Sequence, residues 1–288
     1  MASEGTFRAG EVQWGKTSVH YWTCGWQDAP WLVICHGGGL DHTSFRPLAH
    51  ALVGSWRVLL WDIPGHGLSR PMPQPFSIEA AADALAAVMD DAGAPSGLLL
   101  GFSFGGTLAQ VFTRRWPERC DGFIAYGCGF PQLIKIPAWT SIVARWMIGR
   151  GSWPAVKARF ARMCSANPDV RHDVETSLEN MGRADFLSMV DAALTFSDYD
   201  PGFRMPGPVL LIHGEIDANR HRLRRIYPLF RKAYPNAFHV EIPNAGHCAH
   251  QDQPPAFVTA ITSFLVETAR AADPSCETAL GAPPSRFD

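Results

Sequence analysis

Residues 98–106 read Leu-Leu-Leu-Gly-Phe-Ser-Phe-Gly-Gly, and Thr107 to Phe112 continue with helical composition and spacing. The stretch is an apolar run broken by a serine with a glycine two residues to either side. A serine on so sharp a strand-to-helix turn has its Oγ exposed beside the positive end of the following helix, a place suited to nucleophilic attack. Gly101 and Gly105 fit that turn because a Cβ at either position would press on neighbouring backbone. A serine hydroxyl is a weak nucleophile at neutral pH and needs an adjacent base, which in turn needs an orienting carboxylate. Of the eleven histidines, only His247 and His250 follow the last strand-like run, and His247 stands in Ala-Gly-His, where the glycine permits a close loop. Two carboxylates, Glu215 and Asp217, follow the preceding strand-like run.

These groups are far apart in the chain, so the elements between them must bring them together. Residues 7–14 and 17–24 read as an antiparallel strand pair around the turn at residues 14–17. Trp31 to Cys35, Val58 to Trp61, Leu98 to Leu100, Asp121 to Tyr126 and Pro208 to Ile212 are short apolar runs of the kind buried on both faces of a sheet, and Phe238 to Ile242 is a further strand. Helices are predicted at 44–54, from Ser77 to about Asp91, after Ser103, at 219–234 and at 255–270. Buried strands alternating with helices imply an α/β chain with a doubly wound, mostly parallel sheet, whose site lies at the carboxyl ends of its strands. Several such ends carry polar or glycine-rich signatures, at 36–39, 62–69 and 101–105.

The chain has 288 residues, 47% hydrophobic and 18% charged, enough for a sizeable core. A net charge of −2 without an evident basic stripe reads against a nucleic-acid partner. No apolar run reaches the length of a membrane span, and residues 1–10 carry neither the basic start nor the apolar core of a signal peptide. The seven cysteines are scattered, and none are spaced as C-x-x-C. Reduced thiols, a cytoplasmic location, no metal and no cofactor are expected. His247-Cys248-Ala249-His250 lacks the glutamate of a zinc-binding H-E-x-x-H, and Cys248 reads as packing.

The ordered pieces His36-Gly37-Gly38-Gly39, Asp62-Ile63-Pro64-Gly65-His66-Gly67-Leu68-Ser69, Gly101-Phe102-Ser103-Phe104-Gly105-Gly106, His213-Gly214-Glu215-Ile216-Asp217 and Ala245-Gly246-His247 together resemble the α/β-hydrolase superfamily over roughly residues 7–270. The resemblance implies a catalytic triad of Ser103, Asp217 and His247, with Glu215 the rival for the acid. It also implies an oxyanion hole formed by the backbone N–H groups of Gly38 and Phe104. His36 and His66 read as architectural by the same comparison. Serine at the elbow argues against the dehalogenase and epoxide-hydrolase branches, which place aspartate there.

Residues 130–205 interrupt the alternation. They are rich in Trp, Met and Phe at helical spacings, without strand alternation, and fall where the resembled family inserts a helical cap. The expected division is a core of 1–129 and 206–270, a cap of 130–205 and a disordered tail of 271–288. Most cap aromatics should be core, whereas Gly39, Trp139, Trp146 and Trp153 are candidates for touching substrate. Lys157, Arg159, Arg162, Asp169 and Arg171 read as a solvated face. The expected activity is hydrolysis of a small or medium, largely apolar ester or lactone through an acyl-enzyme, by a monomer or homodimer acting on a small molecule. Two alternatives keep the fold: a C–C hydrolase of ring-cleavage diketones and a slow-turnover ligand receptor.

Overall fold

Each apolar run predicted for the sheet interior is a strand in the computed structural model, which describes residues 6–133, 150–196, 199–218 and 220–272. The strands are β1 (Arg8–Trp14), β2 (Thr17–Cys24), β3 (Trp31–Cys35), β4 (Arg57–Trp61), β5 (Gly97–Phe102), β6 (Cys120–Tyr126), β7 (Val209–Gly214) and β8 (Phe238–Ile242). They form one sheet in the order β1-β2-β4-β3-β5-β6-β7-β8. The β1–β2 and β2–β4 pairings are antiparallel and the rest are parallel. β3, β5 and β7 are buried along their whole length, which is why they read as unbroken apolar runs rather than alternating ones.

The helices follow the same logic. α1 (Arg46–Leu52) continues a short 3₁₀ turn, and α2 (Ile78–Ala92) begins where the Ser77 hydroxyl accepts from the Ala80 N–H. α3 (Phe104–Arg115) starts directly after Ser103. Between β6 and β7 lie α4 (Trp153–Cys164), α5 (Pro168–Met181) and α6 (Arg183–Thr195), so the described part of the insertion is helical, as its spacing predicts. α7 (Arg220–Ala233) and α8 (Pro254–Ala272) complete the chain. α8 runs past Ala271, where a disordered tail was expected to begin, and 273–288 lie outside the described residues.

One feature departs from the sequence reading. α7 gathers Arg220, Arg222, Arg224, Arg225, Arg231 and Lys232 into one helix without a single acidic residue, a basic block that the whole-chain balance of −2 conceals. Trp139 and Trp146 lie outside the described residues, so their expected place at the substrate is not carried further. No helix among the described residues is long and apolar enough to cross a membrane.

The loop after β4 is organised by one carboxylate. Asp62 is fully buried and accepts from the His42 N–H at 2.8 Å, from His42 Nδ1 at 2.9 Å and from the Leu68 N–H at 2.8 Å. His42 itself stacks on Trp22, ring centroids 3.4 Å apart. Burial alone would raise the Asp62 pKa, but the hydrogen bond and charge of His42, the charge of His36 and the Leu68 N–H together hold it below the ordinary carboxylate value. A depressed folded pKa contributes stability above the unfolded pKa and loses it as pH falls through the folded value. Asp62→Ala would strand three donors and should cost roughly 3 kcal/mol or more. Melting temperatures followed from neutral pH down to about pH 3 should fall less steeply in the variant than in the parent. Parallel pH profiles would show that Asp62 is not the group responsible.

Candidate active site

Ser103 occupies the turn between β5 and α3 with φ +51° and ψ −112°, a conformation rarely populated by a residue with a side chain and one that marks strain held in place by its surroundings. The surroundings are backbone. A Cβ at Gly101 would lie 2.5 Å from the Gly106 Cα, and one at Gly105 would collide with the carbonyls of Cys35 and His36 at the end of β3. The absence of both side chains lets α3 start hard against β3. The Ser103 N–H donates to the Tyr126 carbonyl at 2.9 Å, tying the turn to β6.

His247 and Asp217 meet. His247 Nδ1 lies 2.7 Å from Asp217 Oδ2, and both side chains are almost completely buried. Glu215 points elsewhere: its Oε2 accepts from the Asn244 N–H at 2.9 Å on the exposed side of the loop. The geometry therefore pairs His247 with Asp217 and not with Glu215. The His247 ring lies 4.9 Å from that of Phe102, the residue before Ser103, so serine turn and imidazole share the same end of the sheet. Burial pulls the His247 pKa down, yet the charge and hydrogen bond of Asp217, with a further contribution from Cys164, hold it above its ordinary 6.5.

Gly38 and Phe104 also adjoin, since a Cβ at Gly38 would lie 3.2 Å from that of Phe104. Phe104 is the first residue of α3, where backbone N–H groups have no partner within the helix and face an incoming anion. His36 serves the loops. Its Nε2 accepts from the Ile63 N–H at 3.0 Å while Nδ1–H donates to the Gly37 carbonyl at 2.8 Å. His66 lies with its ring 5.2 Å from that of His36, and burial and the charge of His36 push its pKa down to about 3, so it is neutral at physiological pH.

Three side chains that the sequence reading did not single out roof this region. A Cβ at Gly38 would meet Met189 Sδ at 2.7 Å, and one at Gly39 would meet Leu178 Cδ2 at 2.7 Å and Phe160 Cε1 at 3.7 Å. They come from α6, α5 and α4 respectively. Nothing in their local sequence separates them from the other apolar positions of those helices, because only the tertiary approach selects them. Trp153 is half-buried with its ring 5.6 Å from Phe186, where it joins α4 to α6.

Asp41, His42 and Asp62 bring three potential metal-ligating atoms within 4.8 Å of one another. Several of their polar atoms are already engaged: His42 Nδ1 bonds Asp62 Oδ1, and Asp41 Oδ1 accepts from the Thr43 N–H at 2.9 Å. The cluster is a loop brace.

An eight-stranded, mostly parallel sheet with a strained serine at the turn after β5 and a buried His–Asp pair after β8 and β7 defines a class, that of the α/β hydrolases. The chain belongs to the alpha/beta hydrolase family, whose profile matches residues 32–260, and it is a hydrolase. One relative, a pimeloyl-[acyl-carrier protein] methyl ester esterase of Neisseria meningitidis serogroup C, is 42% identical over 88 residues, which span 31% of this chain and only 32% of that protein. The enzyme of the same name from Chromobacterium violaceum is 28% identical over 252 residues, 82% of this chain and 94% of its own length. Among solved structures, the enol-lactonase from Burkholderia xenovorans superposes with a TM-score of 0.75 at 20% identity, covering 89% of this chain and all of that one.

Asp217→Asn should leave the fold intact and lower kcat by up to about 10⁴-fold, the loss typical of neutralising the aspartate that orients a catalytic histidine. Glu215→Gln should be far milder, and the reverse ranking would move the role to Glu215. A His247 acting as base must be neutral to take a proton, so in that role kcat/KM in the parent should fall as pH drops through a value above 6.5.

Proposed function

We propose that this hydrolase is a serine esterase that cleaves a small or medium, largely apolar carboxylic ester through an acyl-enzyme. The observation that carries the reading is the 2.7 Å His247–Asp217 contact at the sheet end where Ser103 stands strained at the helix start. In the proposed mechanism Ser103 Oγ attacks the ester carbonyl as His247 Nε2 takes its proton. Asp217 holds the imidazole in the Nδ1–H tautomer and stabilises its positive charge. The negative charge developing on the carbonyl oxygen is met by the Gly38 and Phe104 N–H groups, and removing one such donor typically costs about 10²–10³ in rate. Collapse expels the alcohol, protonated by His247, and a water attacks the acyl-enzyme by the same proton route in reverse.

The substrate class rests on the walls. Helices α4 to α6 act in this reading as the cap, and Met189, Leu178 and Phe160 roof Gly38 and Gly39 with apolar surface. A diketone carboxylate would want a facing cation there, so these uncharged side chains favour the ester over C–C cleavage. Relatives named as methyl ester esterases favour it too. Substrate and product are small molecules or acyl groups, and no cofactor enters the mechanism.

A fluorophosphonate should add one mass label to the peptide carrying Ser103 and none to Ser103→Ala. Undiminished labelling of the variant would end the assignment. An acyl burst on an activated ester with negligible steady turnover would favour the receptor alternative. For selectivity, each extra acyl methylene buried against the roof should contribute up to about 0.8 kcal/mol, severalfold in kcat/KM, until the pocket is full. Met189→Ala and Leu178→Ala should move the chain-length optimum upward, whereas Trp153→Ala should lower the melting temperature and leave the optimum in place. An unshifted optimum in the first two would remove these residues from the acyl site.

A further inference from the structure

We infer that Tyr126, clamped by His250, is a positioning residue that sets the spacing between the nucleophile Ser103 and the base His247. The inference rests on the triad reading above and assigns the distance within it to a residue outside it.

Tyr126 closes β6 and is completely buried. It holds both catalytic loops at once. Its carbonyl accepts the Ser103 N–H at 2.9 Å, and its hydroxyl lies 2.8 Å from the His247 carbonyl. The same hydroxyl lies 2.9 Å from His250 Nδ1 and accepts the His250 N–H at 3.2 Å. At the next residue, a Cβ on Gly127 would lie 3.0 Å from His247 Cε1, so the end of β6 is also the surface against which the imidazole rests. The phenol ring is held between Phe102, centroids 4.3 Å apart, and Phe257, at 4.7 Å.

Hydrogen-bond capacity then orders the protons. A tyrosine hydroxyl offers one proton and two lone pairs. The His247 carbonyl can only accept, so it takes the hydroxyl proton. His250 Nδ1 must therefore carry its own proton and donate it, alongside the His250 N–H, to the two lone pairs of Oη. Every position on the oxygen is used. The remaining His250 Nε2 is a bare acceptor with no partner among the described residues, stacked against Phe45 at 4.1 Å. The reverse assignment would set the hydroxyl oxygen against the His247 carbonyl without a proton between them and leave a buried N–H unpaired, which costs more. Burial, helped by the charge of His247, pushes the His250 pKa down to about 3, and burial drives that of Tyr126 far up, so both stay neutral through the working range.

Asp217 grips the imidazole from one side only, through Nδ1. In the triad reading the other nitrogen faces Ser103, and the placement of the His247 backbone that keeps it there is held on the sheet side by Tyr126. A shift of about 1 Å between reacting groups can cost roughly a hundredfold in rate.

The test is Tyr126→Phe, which keeps the ring and deletes the oxygen, assayed on an activated ester well below the melting temperature. kcat should fall roughly tenfold to a hundredfold with KM within about twofold. The acid limb of kcat/KM should move down as the hold of Asp217 on the imidazole loosens. The other titratable groups acting on His247 are Cys164 on α4 and His250. His250→Asn, which offers an N–H close to the place of Nδ1, should retain most of kcat, whereas His250→Phe should behave like Tyr126→Phe. Unchanged kcat and pH limb in Tyr126→Phe, whatever happens to its melting temperature, would overturn the inference and leave Tyr126 as packing. Should that variant not fold, equal kcat for the two His250 variants would overturn it alone. Ser103→Ala and His247→Ala run alongside separate the two claims: full activity in either would sink the triad reading, and inactivity in both leaves the positioning role to be judged on Tyr126 and His250.

Discussion

The structure depends on how closely α3 can approach the end of β3. At Gly105 the backbone passes the carbonyls of Cys35 and His36 with no room for a side chain. That contact fixes where the first N–H groups of α3 point, and Phe104 is thereby set beside Gly38 at the mouth of the site. A hydrogen atom in place of a methyl group is what the oxyanion hole of the proposed mechanism requires. The strain at Ser103 is the counterpart of the same approach, because the chain must turn from strand to helix within one residue to reach it. Strain of this kind costs on the order of 1–3 kcal/mol and persists only where the surrounding structure over-determines it. Here the β5–β6 pairing, the Tyr126 carbonyl and the Gly106 N–H donating to the Ser103 carbonyl at 3.1 Å do so.

The sheet was legible because its strands are buried on both faces, so that Trp31 to Cys35 or Val209 to Ile212 carry an apolar signal that needs no tertiary information. The candidate triad was legible because backbone geometry writes itself into glycines: Gly101 and Gly105 around Ser103, Gly214 before Asp217, Gly246 before His247. Side-chain partnerships leave no such trace. Nothing in the spacing of Met189 or Leu178 distinguishes a residue over Gly38 or Gly39 from one in the middle of the helical layer. Tyr126 read as the last apolar position of a strand, and its hydroxyl took on meaning only when His247 and His250, more than a hundred residues later, folded onto it. The basic block of α7 was hidden for another reason, since acidic residues elsewhere cancel it in any sum over the chain.

Several buried polar groups at the carboxyl ends of the strands are fully paired, although His66 Nε2 and His250 Nε2 beside them have no partner among the described residues. Asp62 uses three donors, His36 both ring nitrogens and Tyr126 its whole hydroxyl. A half-satisfied network in an interior of low dielectric would be worse than an apolar one. The pairing of Asp62, His36 and Tyr126 lets the protein place these groups in its core while fixing the loops they join.

The helical layer is not independent of this network. The C-terminal end of α4 reaches the histidine loop, where the Cys248 N–H donates to the Cys164 carbonyl at 2.9 Å. Asp252 joins the two by accepting the Ser165 hydroxyl on one oxygen and the Gly246 N–H, at 2.7 Å, on the other. On the opposite side Arg70, at the end of the loop braced by Asp62, donates to the Asn180 and Met181 carbonyls and to Asp185, pinning the α5–α6 junction. His247 thus sits between two sets of ties, Tyr126 from the sheet and Cys164 with Asp252 from the helices. A displacement of α4 would be transmitted through two or three hydrogen bonds to the residues flanking the imidazole, whereas Ser103, anchored in the sheet, would stay. In the proposed mechanism the relation between these helices and the nucleophile therefore passes through the base, and the alignment of His247 with Ser103 is the quantity to which their position would be coupled.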